Sequence, residues 1–381
     1  MKTIYIILYA IAMAVTIYYN GMNDPRAKMV SMALFAVLFV LALLKRWKSK
    51  TNPKIFDKWL VWFLLACLAN FLLAFDKMNI ESLLNTEIAM PLMVAFSSYY
   101  LFDVKRDKLP LVMLPICLFA AYCAIMSVLS GLGGFKVMEY GEAEVAKNQV
   151  GITFASIAII CAVFMLEEKR FIFKASYAVL SIANLYPAIF FGCRTALLSY
   201  MLVVSFLLFR DYRWKGLIVL PLLILLVAVV DGADLNNLLY DSIVGRRDVN
   251  DVDNLTSGRL THATLSVEYF LRHPILGFYG SGDGYNQMPP NAHVFLLYRL
   301  TKWGIIGAIP FVALYISVFK VSLSSVQSKD MLIAGLFLMA LIESFSEYAP
   351  PFGPGSCFIV PFILLGYSFH QTSAIEILKR R

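Results

Sequence analysis

Long apolar stretches, separated by short polar segments, divide the 381-residue chain. A helix needs about 20 apolar residues to cross a bilayer, and twelve stretches come close to this length. They are residues 3–20, 28–45, 59–75, 84–102, 110–129, 149–166, 171–192, 195–209, 216–230, 303–320, 331–347 and 354–370. The sequence therefore predicts an all-α polytopic membrane protein with about 12 transmembrane helices.

The composition supports this prediction. Hydrophobic residues make up 60% of the chain and charged residues 15%, whereas soluble domains have about 45–50% and about 25%. One soluble core could not hide such an excess of apolar residues. The composition thus excludes a cytosolic globular enzyme, a disordered protein and a secreted disulfide scaffold.

Basic residues indicate how the helices are oriented. With the N-terminus in the cytoplasm, the inner segments hold most of the 33 Lys and Arg residues, and every inner loop is basic. These segments are residues 1–2, 45–58, 103–108, 167–174, 210–215, 320–329 and 379–381. The distribution obeys the positive-inside rule and predicts that both termini are cytoplasmic. The net charge of +8 is therefore mainly a signal of topology, and no nucleic-acid partner is expected.

The chain divides into three parts. Residues 1–230 contain nine predicted transmembrane helices, residues 231–292 form a large outer loop, and residues 293–381 contain three more helices and a cytoplasmic tail. A loop of this length in a compact protein is usually functional.

The large loop has an internal pattern. Helical spacing predicts a helix over Thr256–Leu271, with Thr256 or Ser257 as its cap. Pro274 ends this helix, because the residue before a proline avoids the α region. The glycine-rich residues 277–285 that follow are expected to form a flexible loop.

Arginine and histidine residues on the outer side suggest that the protein handles an anionic, lipid-borne substrate. A guanidinium group donates paired hydrogen bonds to phosphate, and imidazole can act as a general base near neutral pH. Arg194, between two apolar runs, is either an interfacial side chain that reaches the head groups or an anion ligand. His262 is interpreted as a partner for other residues and His273 as a structural residue. Glu343, inside a predicted span, is interpreted as facing a cavity.

Three segments resemble the motifs of one family. They are residues 191–198 (FGCRTALL), residues 256–277 (TSGR, then FLRHPILG) and residues 291–307 (NAH, then Gly304 and Gly307). In this order they resemble the O-antigen ligase/polymerase superfamily, over about residues 145–310. The resemblance implies a metal-independent glycosyltransferase of the bacterial inner membrane with a GT-C-like fold, no cofactor and a periplasmic active site. Its donor would be an undecaprenyl-pyrophosphate-linked oligosaccharide.

The resemblance also implies roles for individual residues. His293 would be the catalytic base that takes the proton of the acceptor hydroxyl. Arg194 and Arg259 would hold the pyrophosphate. Independently of the resemblance, Arg272 is interpreted either as a further phosphate ligand or as an ion-pair partner of Glu268, one turn earlier on the predicted helix.

Two asparagines are further candidates for the site. Asn148 resembles a family position in an outer loop, although such a residue is more often a helix cap. Asn291 lies two residues before His293, whereas the family usually has Asn directly after this histidine, where the chain has Val294. This departure, and the lack of a second histidine just upstream, favour a polymerase over a ligase.

The leading hypothesis is a polymerase of O-antigen or capsule repeat units, which transfers a lipid-linked glycan to a sugar hydroxyl on the periplasmic side. The first alternative is an O-antigen ligase that transfers the glycan to lipid A-core. The second is a transporter or flippase of lipid-linked glycans, a class in which repeated halves and midplane charges are expected; the sequence has neither. Membrane lipids, a chain-length regulator and a flippase are the other expected partners.

Overall fold

The apolar stretches form helices in the computed structural model of the protein, which describes residues 2–22, 24–48, 89–129, 142–191, 193–212, 258–281, 292–327, 331–345 and 359–379. The described residues contain no strand. Within these ranges, five helices are long and apolar enough to cross a membrane, and three shorter apolar helices accompany them. The described part of the chain is thus all-helical, in agreement with a helical membrane protein. The predicted spans 59–75 and 216–230 lie outside the described residues, so the count of twelve stays a prediction.

The described residues of the first part of the chain form seven helices and a short 3₁₀ turn. The helices are α1 (Lys2–Met22), α2 (Pro25–Lys48), α3 (Ala89–Leu101), α4 (Leu109–Leu129), α5 (Glu142–Glu167), α6 (Phe171–Phe190) and α7 (Arg194–Tyr212). The 3₁₀ turn, Arg106–Lys108, leads into α4.

The residues described after position 257 form five helices. They are α8 (Arg259–Arg272), the single turn α9 (Gly277–Gly280), α10 (Phe295–Gln327), α11 (Met331–Ser344) and α12 (Ile359–Lys379).

Helix α5 lies at the centre of the bundle. Its residues 150–164 are all buried, as expected for a helix that is apolar on every side. It packs against α4, α6, α7 and α11. This central helix therefore sets the position of the others.

Helices α3 and α12 approach each other closely at a glycine. A Cβ atom on Gly366 would lie 2.0 Å from the Ser98 hydroxyl and 2.2 Å from the Ala95 carbonyl oxygen. Small residues of this kind let two membrane helices bring their backbones together. The last helix of the chain is thus fitted against one of the early ones.

Polar contacts join the predicted cytoplasmic segments to one another at one end of the bundle. They join Lys2 to Asp103, Lys45 to the Tyr100 carbonyl, Arg106 to Glu167, and Gln371 to the Val104 carbonyl. The hydrogen bond from Lys2 holds the pKa of the Asp103 carboxyl below its ordinary value. We call this the basic end. Segments that the charge pattern assigns to one side of the membrane do lie together.

Helix α11 runs from the basic end of the bundle to the opposite end. Near its start, Gly335 packs against Val163 and Val203, and near its end the side chain of Glu343 meets Ser199. Since Val163 lies one turn from the basic end of α5, α11 runs away from that end. Helix α10 packs against α11, and only three residues separate the two helices in sequence, so they run in opposite directions. Helix α10 therefore starts at the end of the bundle that lies away from the basic end. We call this the site end.

Helix α10 is broken at Gly304, which has φ +63°. Residues 305–327 are about 35 Å long at 1.5 Å per residue, enough to cross a hydrocarbon core of about 30 Å. The break coincides with the start of the predicted span at residue 303. Residues 295–303 are therefore a separate helical segment at the site end.

The break in α10 is held by a contact between two glycine backbones. A Cβ atom on Gly277, which has φ +65°, would lie 2.4 Å from the Gly304 amide nitrogen. A Cβ atom on Gly304 would lie 2.3 Å from the Ile275 carbonyl oxygen. Both positions need glycine for its conformation and for its lack of a side chain.

We expect Gly277→Ala and Gly304→Ala to destabilise the protein more than Gly258→Ala does. Gly258 also has positive φ (+73°), yet a Cβ atom there meets nothing within 4 Å. The control change therefore costs only the left-handed conformation, about 1–2 kcal/mol, whereas the other two add an overlap of about 1–3 kcal/mol. Thermal unfolding in detergent, followed by tryptophan fluorescence, measures the difference. Equal losses in all three variants would contradict the glycine contact.

Candidate functional site

His293 lies just before α10, and its ring is stacked on that of His262. The two ring centroids are 6.1 Å apart and the ring planes differ by 14°. His262 belongs to the first turns of α8, three residues after Arg259, and residues at this spacing are neighbours on a helix. The structure therefore brings His262, and with it the start of α8 at Arg259, against His293.

Hydrogen bonds fix the register between α8 and α10. The Thr301 hydroxyl donates to the Ser266 carbonyl oxygen at 3.1 Å, and Ser266 is buried. Beyond the break, the Ile305 amide donates to the Pro274 carbonyl at 2.9 Å. These bonds and the Gly277–Gly304 contact join two of the segments that resemble the family motifs. The stacked histidines are a result of this register.

The ends of α8 agree only in part with the sequence prediction. The helix stops at Arg272, before His273 and Pro274, as predicted. It begins at Arg259 and not at Thr256, because Gly258 takes the capping position in a left-handed conformation without a side-chain cap. The predicted cap by Thr256 or Ser257 is therefore wrong; those two residues lie outside the described ones.

The residues after α8 also differ from the prediction. The interpretation of His273 as a structural residue stays a prediction: its amide donates to the carbonyls of Tyr269 and Phe270, and its ring lies 5.0 Å from that of Tyr269. The expected flexible loop begins instead with the helical turn α9, in which Gly277 and Phe278 are buried. This turn is ordered because it packs against α10.

The two candidate arginines of α8 lie at opposite ends of the helix. Thirteen residues separate Arg259 from Arg272, which corresponds to about 20 Å along the axis. Arg259 is half-buried near the histidine pair, and Arg272 is exposed. Among the described residues, Arg272 forms no ion pair with Glu268. The structure thus groups Arg259 with His293 and leaves Arg272 apart.

The backbone segments that carry Arg194 and Asn148 meet at Cys193 and Gly151. Arg194 is the first residue of α7, and the preceding residue, Cys193, is buried against Gly151 of α5. A Cβ atom on Gly151 would lie 2.5 Å from the Cys193 Cβ. Asn148 is one turn before Gly151, inside α5, which begins at Glu142. Asn148 is therefore not a helix cap, and that alternative is wrong. The candidate Asn291 lies outside the described residues.

Glu343 is packed rather than exposed. It is 0% exposed, and its Oε1 atom accepts a hydrogen bond of 2.7 Å from the Ser199 hydroxyl. The same hydroxyl donates to the Thr195 carbonyl at 2.8 Å. The expectation that Glu343 faces a cavity is therefore wrong. Its carboxylate instead ties the end of α11 to the first turns of α7, which begin at Arg194.

Two buried cations near His293 were missed by the reasoning from sequence. Arg299 and Lys302, both in the segment 295–303, are 0% exposed. The available signal was a pair of basic residues three apart in an otherwise apolar run directly after His293. Among the described residues, no group of three or more His, Cys, Asp or Glu side chains could hold a metal ion.

We expect Gly151→Ala to destabilise the protein because its Cβ pushes Cys193, and with it the start of α7, away from α5. The double variant Gly151→Ala/Cys193→Gly removes the clashing side chain and should recover part of the loss. Overlaps of this kind cost about 1–3 kcal/mol, so thermal unfolding should show this order of stability. If the double variant were as impaired as the sum of the single ones, the contact would not couple the two helices.

Comparison with known proteins identifies no relative of this chain. Neither the family models nor the curated proteins contain a match to the chain.

Proposed function

We propose that the protein is a membrane polysaccharide polymerase that transfers a glycan from an undecaprenyl-pyrophosphate carrier to a sugar hydroxyl. The stacking of His293 on His262, one turn from Arg259, is the observation that carries the proposal. It puts a group that can accept a proton beside a helix that begins with a permanent positive charge. The substrate of such a site needs both a hydroxyl to activate and an anionic group to leave.

The proposed reaction is a single displacement. The imidazole of His293 takes the proton of the acceptor hydroxyl while its oxygen attacks the anomeric carbon of the donor sugar. The bond between that carbon and the pyrophosphate oxygen breaks, and its electron pair leaves with the pyrophosphate. Arg259 and Arg194 stabilise the negative charge on the leaving group, because guanidinium groups bind phosphate oxygens through paired hydrogen bonds.

His262 is a positioning residue in this proposal. Its ring lies parallel to that of His293 and limits the rotation of the base. A base that is misplaced by about 1 Å can lose a factor of about 100 in rate. The stacking therefore supports a fixed direction for proton transfer.

The charge pattern supports a reaction on the outer face of the bacterial inner membrane. The basic end holds the segments that are rich in Lys and Arg, which the positive-inside rule assigns to the cytoplasm. His293, Arg259 and Arg194 belong to the site end. A periplasmic site would receive lipid-linked glycans after a flippase has moved them across the membrane.

We expect His293→Ala to abolish polymer formation in cells while the folded protein still accumulates. His370→Ala is the matched control, since His370 packs against Tyr99 in the described structure, away from the site end. A gel of envelope glycolipids gives the readout: single repeat units on the core indicate loss of a polymerase, and bare core indicates loss of a ligase. Polymer of unchanged length and amount in the His293 variant would refute the assignment of the base.

We expect Arg259→Ala to lower kcat by about 10²–10³-fold, the usual cost of losing one group that stabilises the developing charge. Arg272→Ala should change kcat little, because Arg272 is exposed and lies at the far end of α8. Both rates can be measured with purified protein and a lipid-linked donor. Equal losses of kcat in the two variants would indicate that Arg272 also binds the pyrophosphate. They would contradict the separation of Arg272 from Arg259 and His293.

A further inference from the structure

One side of α10, beyond its break, has a long stripe of exposed apolar residues. They follow one another at intervals of three or four residues and are Ile305, Ile309, Val312, Ile316, Phe319 and Leu323. The stripe is about 27 Å long at 1.5 Å per residue, close to the thickness of a hydrocarbon core, about 30 Å. It is therefore the side of the span that faces lipid, and Ile305 lies near the boundary of the hydrocarbon at the site end.

The backbone that follows α8 is bonded to α10 at the site end of this stripe. The Ile305 amide donates to the Pro274 carbonyl at 2.9 Å, and the Ile306 amide donates to the Ile275 carbonyl at 3.3 Å. Ile275, Ile305 and Ile306 are all exposed. The lipid-facing surface of α10 thus meets further exposed apolar residues where α8 has just ended.

Helix α8 has an exposed apolar stripe of its own. Leu260, Val267 and Leu271 are 53%, 43% and 68% exposed. At 3.6 residues per turn, these three lie within about 40° of one another around the helix axis. Thr264 lies in the same stripe, and its hydroxyl donates to the Leu260 carbonyl, so its donor is satisfied without water. Contiguous apolar surface that is exposed in this way marks an interaction site.

The other two sides of α8 differ from the stripe. Ser266 and His262 belong to the side that packs against α10. Glu268 and Arg272 lie on a third, exposed side, with Leu265 at its edge. One side on protein, one apolar side and one charged side are what a helix needs where the bundle, the lipid and the water meet.

We propose that α8 is an interfacial helix, which lies along the surface of the bilayer with Leu260, Val267 and Leu271 among the lipid acyl chains. An amphipathic helix in this position is immersed by about 5–10 Å. The exposed guanidinium of Arg272, next to Leu271, reaches the phosphates of the phospholipid head groups. The partner of this surface is thus the bilayer itself, although the sequence assigns α8 to an outer loop.

The position of α8 has a consequence for the candidate site, although it does not rest on the proposed reaction. His262 lies on the same helix as the stripe, and a helix with its side chains is only about 10–12 Å wide. The pair of stacked histidines would therefore lie near the level of the lipid head groups. A phosphate on a lipid carrier is held at the same level.

The test compares two adjacent exposed residues of α8 in the full-length protein in phosphatidylcholine nanodiscs. The variants Val267→Cys and Glu268→Cys are labelled with bimane, and labelled unaltered protein gives the background from native cysteines. We expect brominated acyl chains to quench the label at position 267 about twice as strongly as the label at position 268, because the two positions lie about 100° apart on the helix. Iodide in the water should show the opposite order.

Three outcomes would overturn the proposal. If iodide quenches both labels equally well, α8 projects into water. If neither quencher reaches position 267, a protein segment covers the stripe. The variants Leu260→Cys and Leu271→Cys test the direction of the helix, because these residues are about 16 Å apart along its axis. Quenching by lipid at position 271 and only by iodide at position 260 would mean that α8 stands upright on the bilayer.

A second measurement needs no substitution, in case a labelled variant does not fold. Phosphatidylcholine with a diazirine in the first half of an acyl chain inserts into neighbouring residues when it is irradiated, and mass spectrometry of the digested protein locates the product. We expect insertion within residues 259–275 of the unaltered protein as well as in the spans. Insertion confined to the spans would contradict an interfacial α8. Neither measurement needs catalysis, so failure of the His293 assignment would be seen separately.

Discussion

The close approach of Gly277 to Gly304 is the contact on which the site end depends. It requires two left-handed residues without side chains, 27 positions apart in the sequence. It holds the turn after α8 against the break in α10, and the hydrogen bonds from Thr301 and Ile305 follow from it. Once this crossing is formed, the start of α8 can lie only near the start of α10. The stacked histidines are thus fixed by backbone geometry rather than by their own weak attraction.

The fold class could be predicted from the sequence because a bilayer imposes one simple rule. A backbone in hydrocarbon must satisfy its hydrogen bonds internally, so long apolar stretches have to be helices. The stop of α8 was predictable for an equally local reason, the proline at position 274. The start of α8 was not, since a left-handed glycine such as Gly258 can be recognised only when the surrounding chain is in place.

The site was harder to predict than the fold. His293 and Arg259 were chosen from motifs that are far apart in the sequence, but their proximity depends on a tertiary crossing that hydropathy does not describe. The burial of Arg299 and Lys302 is of the same kind. In sequence they are ordinary basic residues before a membrane span, and the rings of Tyr298, Phe295 and Phe278 come near them only in the folded chain. Glu343 was recognised as costly, yet its bond to Ser199 became visible only in three dimensions.

The tight fit at Gly366 has a consequence for biogenesis. Helix α3 is synthesised well before α12. Until α12 is inserted, Ala95 and Ser98 lack the close contact with Gly366 that brings the two backbones together. A chain truncated before α12 would therefore lack this contact even if every earlier helix were correctly inserted.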